Sequence, residues 1–557
     1  MNKNLILRTI AGALLAATPF FVHAQGTLRI AMTASDIPTT TGMPNNGFEG
    51  MRFLGYPVFE PLVLWDLSQP NTPAGLRPGL ATSWKQDTKD PATWIFTLRK
   101  DVKFHDGAAF DADAFIWNME RYYNDKSKQY DPPAAGLSRA RNPYVKSYAK
   151  IDTTTVSITT VRPLSYFPML MVWPLMSSPK AFEKAGSWTA YANAPAGTGP
   201  FILTKWTSRQ SAELARNSNY WDKARVPKLD KIILVPVPEA STRTAALRSG
   251  QVDWIEAPAP DSVDSLKAAG YVLSTNSYPH YWPWMLNVAK EDSPFRDVRV
   301  RQAVNYCVDR EAMVKLLGGL AEPSVGYFSK SNPLFGTPTQ KYGYDVNKAK
   351  TLLAAAGYGP SKPVKMKVMI STSGSGQMQP LPMNELLQRQ LAACNVNVEF
   401  EVVDWTVVLT AWRSGPISKE SRGVDALNIS SPSMDIATMA RYLLSGNGSP
   451  NGANWGHFKS EAYDRILARV EASSDAEELK RGTMQAHQLI VDEAPYLRGP
   501  RPQPGDVLQE GQGLRAGAIL VPGLHQDLHG EVMPYPQILA CCALYRPVQR
   551  RKPNQQP

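Results

Sequence analysis

Cysteine is scarce, with four residues in 557, too few for a disulfide scaffold. Long apolar runs are scarce as well: beyond the first two dozen residues no stretch reaches the ~18 unbroken apolar residues of a membrane-spanning helix. The chain has no Walker-type phosphate loop, no GxGxxG opening a helix, no HExxH and no GxSxG elbow. These absences point away from nucleotide, zinc-protease and serine-hydrolase chemistry. The seven histidines are mostly isolated; His525 and His529 stand four apart but have no third metal ligand nearby. No metal site and no cofactor is expected. The formal charge of +11 is spread thinly, which does not imply a nucleic-acid binder. There is no internal repeat and no low-complexity tract.

What is present is ordinary for a folded chain: 43% hydrophobic and 20% charged residues, with 46 scattered prolines that read as fixed turns. The length suits more than one domain. Residues 1–24 have the shape of a secretory leader. Lys3 and Arg8 precede an apolar run from Ile10 to Val22, and Val22-His23-Ala24 places small residues for a cut after Ala24. Gln25 follows, not Cys, so a lipid anchor at this cut is not expected. Export allows disulfides. Cys307 and Cys394, far apart and each in a helical pattern, read as buried free thiols.

Strand and helix patterns alternate along the chain. Residues 27–32, 94–99, 154–160, 230–237, 364–370 and 396–403 read as strands. Asp111 caps a helix reaching Tyr123, Ser241 one that stops at Gly250, Asp297 one with a Val300–Val308 stripe, and Asp345 one that stops at Gly357. Residues 383–394 add another helix. This order favours an α/β layer. Asp106-Gly107 marks a hairpin turn, which accounts for His105 without catalysis. The stretch Ser371 to Gly376 reads as a flexible loop.

The segment WIFTLRKDVKFHDGAAFDADAFIWNMER (Trp94 to Arg121) strongly resembles the family 5 extracellular solute-binding proteins of ATP-binding-cassette (ABC) importers. GLATSW (from Gly79), GTGPF (from Gly197), NSNYWD (from Asn217), STRTAALRSGQVD (from Ser241), LNVAKEDSPFRDVRVRQAVNYCVDRE (from Leu286) and DEAPYL (from Asp492) follow in family order. The resemblance covers roughly residues 26 to 497. It implies a two-lobed α/β periplasmic binding protein of type II, cluster C-like, with an extra domain in the first lobe. Lobe I would take 25–70, 195–275 and 485–557, the extra domain 71–194, and lobe II 276–484. It also implies a receptor and not an enzyme, taking peptides or peptide-like solutes. Other solutes of the family (an opine, an oligosaccharide, a nickel chelate) stay open, as does a secreted hydrolase on the same scaffold. The partners would be permease subunits of the inner membrane, and the chain a monomer in the periplasm.

Candidate ligand contacts are Tyr281, Trp282 and Trp284, which follow the crossing into the second lobe, although they also fit strand core. Trp405, Trp412 and Arg413 follow the strand 396–403 in a region that approaches the cleft in the family. Arg413 suits a carboxylate, or else a solvated surface. Peptide receptors of the family hold the ligand α-amino group with an Asp; Pro432 falls at that place here, and Asp435 is the nearest acid. Arg139 and Arg141 suit an anionic ligand or surface pairing. After Leu497 the chain departs from the family ending. Plausible high-GC codons for Leu508 to His529, read in a shifted frame, can spell a segment similar to that ending, so a frameshift is expected near Leu497–Arg498. His525, His529, Cys541 and Cys542 would then carry no evolved function, and the first lobe would lack its closing strand.

Overall fold

The computed structural model describes residues 26–67, 74–274, 280–502 and 506–509. The leader, its cut after Ala24, His525, His529, Cys541 and Cys542 lie outside the described residues.

Three sheets organise the chain. The first has seven strands in the order 271–274, 506–509, 254–256, 27–32, 231–236, 211–216, 201–207. Thr27–Met32 lies in its interior, parallel to both neighbours. Leu28, Ile30 and Met32 pack into the main core, while Ala31 packs on the opposite face with Leu247, Ile255 and Val507. A strand buried on both faces reads as a nearly continuous apolar run. The second sheet orders 396–403, 364–371, 426–428, 283–286 and 496–498. Val364–Ser371 and Val396–Val403 are parallel and joined through the helix Pro380–Ala392, as a parallel pair requires. The third is a four-stranded antiparallel sheet of 81–86, 93–98, 155–160 and 145–150, within the segment 71–194.

Helix starts follow their caps. Asp111 accepts from the Ala114 N–H at 3.0 Å and opens Ala112–Tyr123. Asp297 and Asp345 open Val298–Tyr306 and Val346–Ala355 in the same way. Ser241, expected as a cap, sits inside Ala240–Arg248 instead. Glu239 caps that helix, taking the Ser241 and Thr242 N–H groups, because a carboxylate reaches two orphan donors at once. At the 104–107 turn Gly107 has φ +82°, and the His105 ring bonds the Gly199 carbonyl at 2.9 Å, a structural role.

Three expectations are corrected. Cys307 and Cys394 are not free thiols; they form a disulfide with Cα atoms 6.3 Å apart. Cys307 ends one helix and Cys394 lies just past the end of another, and the two ends meet in the second lobe's core. Residues 371–376 form a packed loop: Gly374 lies against the Trp405 indole, Gly376 against Ser430 Oγ, and Ser375 Oγ accepts the Glu49 N–H across the lobes at 3.2 Å. Tyr496–Arg498 pairs with 283–286 in the second sheet. The first sheet does receive a closing strand, because 506–509 pairs antiparallel with both 254–256 and 271–274.

Glu471 adds to the Glu49–Ser375 contact across the lobes, and Arg501 gathers the 280, 327 and 433 segments. Glu471 of the second lobe receives Arg162 at 2.6 and 2.9 Å and the Tyr166 hydroxyl at 2.5 Å from the extra domain. Arg501, on the returning strand, donates to the His280 carbonyl at 2.9 Å, to Ser433 Oγ at 2.6 Å and to the Tyr327 carbonyl at 2.9 Å.

Candidate binding site

A partly open cavity of about 70 Å³ lies between the lobes. Gly47, Phe48, Leu137, Arg141 and Trp173 wall it from the first-lobe side. The opposite wall includes His280, Ser375, Trp405, Trp412, Arg413 and Arg441.

Three helices aim these side chains. Asp404 caps Trp405–Ser414, and the spacing 405, 409, 412 puts Trp405, Leu409 and Trp412 on one face, which is the cavity wall. Arg413 stands in the last turn of that helix. Arg141 ends the helix Pro132–Arg141, capped by Asp131. Arg441 lies on Ile436–Leu443, capped by Asp435. Cations at helix C-termini are favoured by the aligned carbonyls, which eases the placing of these arginines but does not neutralise them.

The electrostatics of the cavity are one-sided. None of its lining residues is Asp or Glu. Among the described residues Arg141, Arg413 and Arg441 make no ion pair. Arg141 stacks over Trp173 at 5.1 Å and donates to Met43 Sδ at 3.4 Å; burial and the nearby Arg441 and Arg413 charges pull its pKa down to about 10. Burial alone pulls Arg413 down. Arg441 donates to the Tyr442 hydroxyl at 2.8 Å and stacks over that ring at 4.6 Å. His280 is held down at about 3 by burial, then by Arg501 and Arg52, so its imidazole is neutral. Several buried donors have no hydrogen-bond partner: Trp405 Nε1, Trp412 Nε1, Arg413 Nε, Arg441 Nε and Ser430 Oγ. Native proteins leave few such atoms unpaired, so a cluster in one cavity calls for an explanation.

The sequence candidates divide. Trp405, Trp412, Arg413 and Pro432 line the cavity. Tyr281, Trp282 and Trp284 are fully buried away from it. Tyr281 packs on Tyr327 and Tyr496. The Trp282 N–H donates to Gln377 and the Trp284 N–H to Asn384, both at 2.8 Å. Asp435 does not line the cavity; both the N–H and hydroxyl of Thr438 donate to it, and burial raises its pKa. Arg139 faces an open groove on the extra domain, whereas its neighbour Arg141 faces the cavity. Sequence reading passed over His280, Ser375, Trp173 and Arg441. Of these only Arg441 leaves a trace, as a lone cation in an otherwise apolar helix.

Two α/β lobes that enclose a small cavity with side chains from both define a solute receptor that binds by closure. The chain belongs to the bacterial extracellular solute-binding proteins, family 5, whose profile matches residues 75–446. It is 31% identical over 418 residues to the glutathione-binding protein GsiB of Salmonella paratyphi A, covering 73% of this chain and 77% of that protein. Its fold matches the periplasmic binding protein DppA from Helicobacter pylori, in complex with peptide STSA, with a TM-score of 0.75, 23% identity and coverage of 90% and 97%. The binding protein AgaA from A. tumefaciens R10, in complex with agropinic acid, matches with a TM-score of 0.73, 21% identity and coverage of 93% and 98%.

Proposed function

We propose that this chain is the periplasmic receptor of an ABC importer, closing its lobes over a peptide or peptide-like solute and delivering it unaltered to permease subunits in the inner membrane. The observation that carries the proposal is the cavity itself. Both lobes wall it, and it holds indole, guanidinium and hydroxyl donors that have no hydrogen-bond partner among the described residues. Such donors become satisfied when a solute supplies acceptors, and that gain exists only in the closed form. The relatives' ligands (glutathione, a peptide, an opine acid) support a peptide-like solute and keep an opine as the second reading. The receptor is a monomer, exported by its leader and cut after Ala24.

The test is a screen of the purified exported chain. A solute that binds the folded form raises the midpoint of thermal unfolding by mass action. It should also contract the scattering outline and be recovered chemically intact. A solute converted to product at a steady rate would make the chain an enzyme and end the proposal. N-terminal sequencing beginning at Gln25 checks the leader.

A further inference from the structure

We infer that the solute of this cleft carries at least two carboxylates, gripped by Arg141, Arg413 and Arg441, and that no acidic side chain holds an ammonium group against it. This rests on the reading of the cleft as a solute site and narrows its ligand class.

Three guanidinium groups reach one cavity from three separate helices, and no carboxylate lines it. Arg141 and Arg413 have no carboxylate acting on them and Arg441 has only the field of Asp435, without an ion pair; buried cations so placed are costly, and the cost falls when an anion arrives with matching geometry. A single carboxylate can be held in bidentate fashion by one guanidinium, so three of them exceed the demand of one ligand charge. The remaining unpartnered groups are donors or a hydroxyl: the two indole N–H groups, Arg413 Nε, Arg441 Nε and Ser430 Oγ. That set favours a ligand rich in acceptors.

A zwitterionic peptide would bring an ammonium group into this field. Pro432 offers it no charge. Asp435 is committed to Thr438, and its charge acts toward Arg441. His280, neutral in this setting, adds no cation and no anion. Trp173, Trp405 and Trp412 supply flat apolar walls for the body between the carboxylates. The expected ligand is therefore an acidic, compact peptide-like or opine-like molecule whose nitrogen is acylated, secondary or otherwise not in need of a carboxylate partner.

The experiment uses the full exported chain and named probes: N-acetylglutamate and N-acetylaspartate as dicarboxylates with an acylated nitrogen, tri-alanine as a peptide with one carboxylate, and lactose as a neutral solute. Thermal shift and calorimetry are read for the parent, Arg413→Gln and Arg441→Gln, with Arg413→Lys as a charge-keeping control. The inference expects shifts confined to the dicarboxylates and at least a tenfold loss of affinity in each Gln variant. It also expects partial recovery in Arg413→Lys, and an unliganded midpoint in Arg413→Gln at or above the parent's, because an uncompensated charge has gone. Shifts by tri-alanine or lactose equal to those of the dicarboxylates, or Gln variants that bind as the parent does, would overturn it while leaving the receptor intact. A lowered unliganded midpoint for Arg413→Gln would also overturn it, since the arginine would then be structural. No shift and no contraction with any class would count against the closing receptor itself.

Discussion

Trp284 and Trp412 are both buried tryptophans, yet they differ in what their N–H groups meet. The Trp284 N–H is held by Asn384 in the second lobe's core, and the Trp412 N–H has no partner and borders the cavity. Trp284→Phe strands the Asn384 oxygen and should cost about 1–3 kcal/mol of stability without changing solute affinity. Trp412→Phe should do the reverse, with near-parental stability and weaker binding. Denaturant titration beside calorimetry separates the two. A second test concerns His487, whose Nε2 accepts the Phe328 N–H at 3.1 Å while its Nδ1 bonds the Phe335 carbonyl at 2.7 Å. Burial, helped by Arg498 and Arg501, holds its pKa at about 3, below the ~6.5 of an unfolded histidine. A depressed pKa means the unfolded chain takes up the proton. The contribution is complete above pH ~6.5 and is lost as pH falls toward 3, amounting to about 2–3 kcal/mol at pH 4.5. His487→Gln should lose that much less stability than the parent between pH 7 and 4.5; parallel denaturation profiles would contradict a buried neutral imidazole.

Elements were far easier to read than sites. Strands such as 27–32 and 396–403 and the caps Asp111, Asp297 and Asp345 depend on local alternation and on side chains reaching backbone two or three residues away. That information is local, and it sits in the sequence. Which face of 283–286 meets solvent or solute is not local: all four residues are buried, so alternation carries no signal there. The cavity's apolar face at 405, 409 and 412 has clear helical spacing, but the same spacing describes a core stripe. The disulfide was hidden for the same reason, since its cysteines are 87 residues apart and meet only after the second sheet and its helices have packed. Closing a loop of that length stabilises by about 2–5 kcal/mol in the chain-entropy account. Cys307→Ser combined with Cys394→Ser should lower the denaturant midpoint accordingly. Alkylation followed by mass spectrometry of the unreduced parent should leave both thiols unlabelled.

At the scale of the whole molecule, closure is a balance between contacts across the lobes and the strain of bringing them together. Glu471 belongs to this balance: it is buried, does not line the cavity, and receives Arg162 and Tyr166 from the extra domain. Glu471→Ala removes those bonds and should reduce apparent affinity about five- to tenfold for every solute alike. The unliganded variant should scatter as a more extended particle. An unchanged outline with unchanged affinity would show that the contact forms after the lobes have already met.

Arg501 gives the end of the chain a weight out of proportion to its length. Its guanidinium fastens the outgoing and the incoming crossing to each other, with the His280 carbonyl on one side and its own strand on the other. That joint is complete only with residue 501 in place. A substitution at Arg501 would leave the His280 and Tyr327 carbonyls without these donors, although position 501 lies outside the residues that wall the binding chamber.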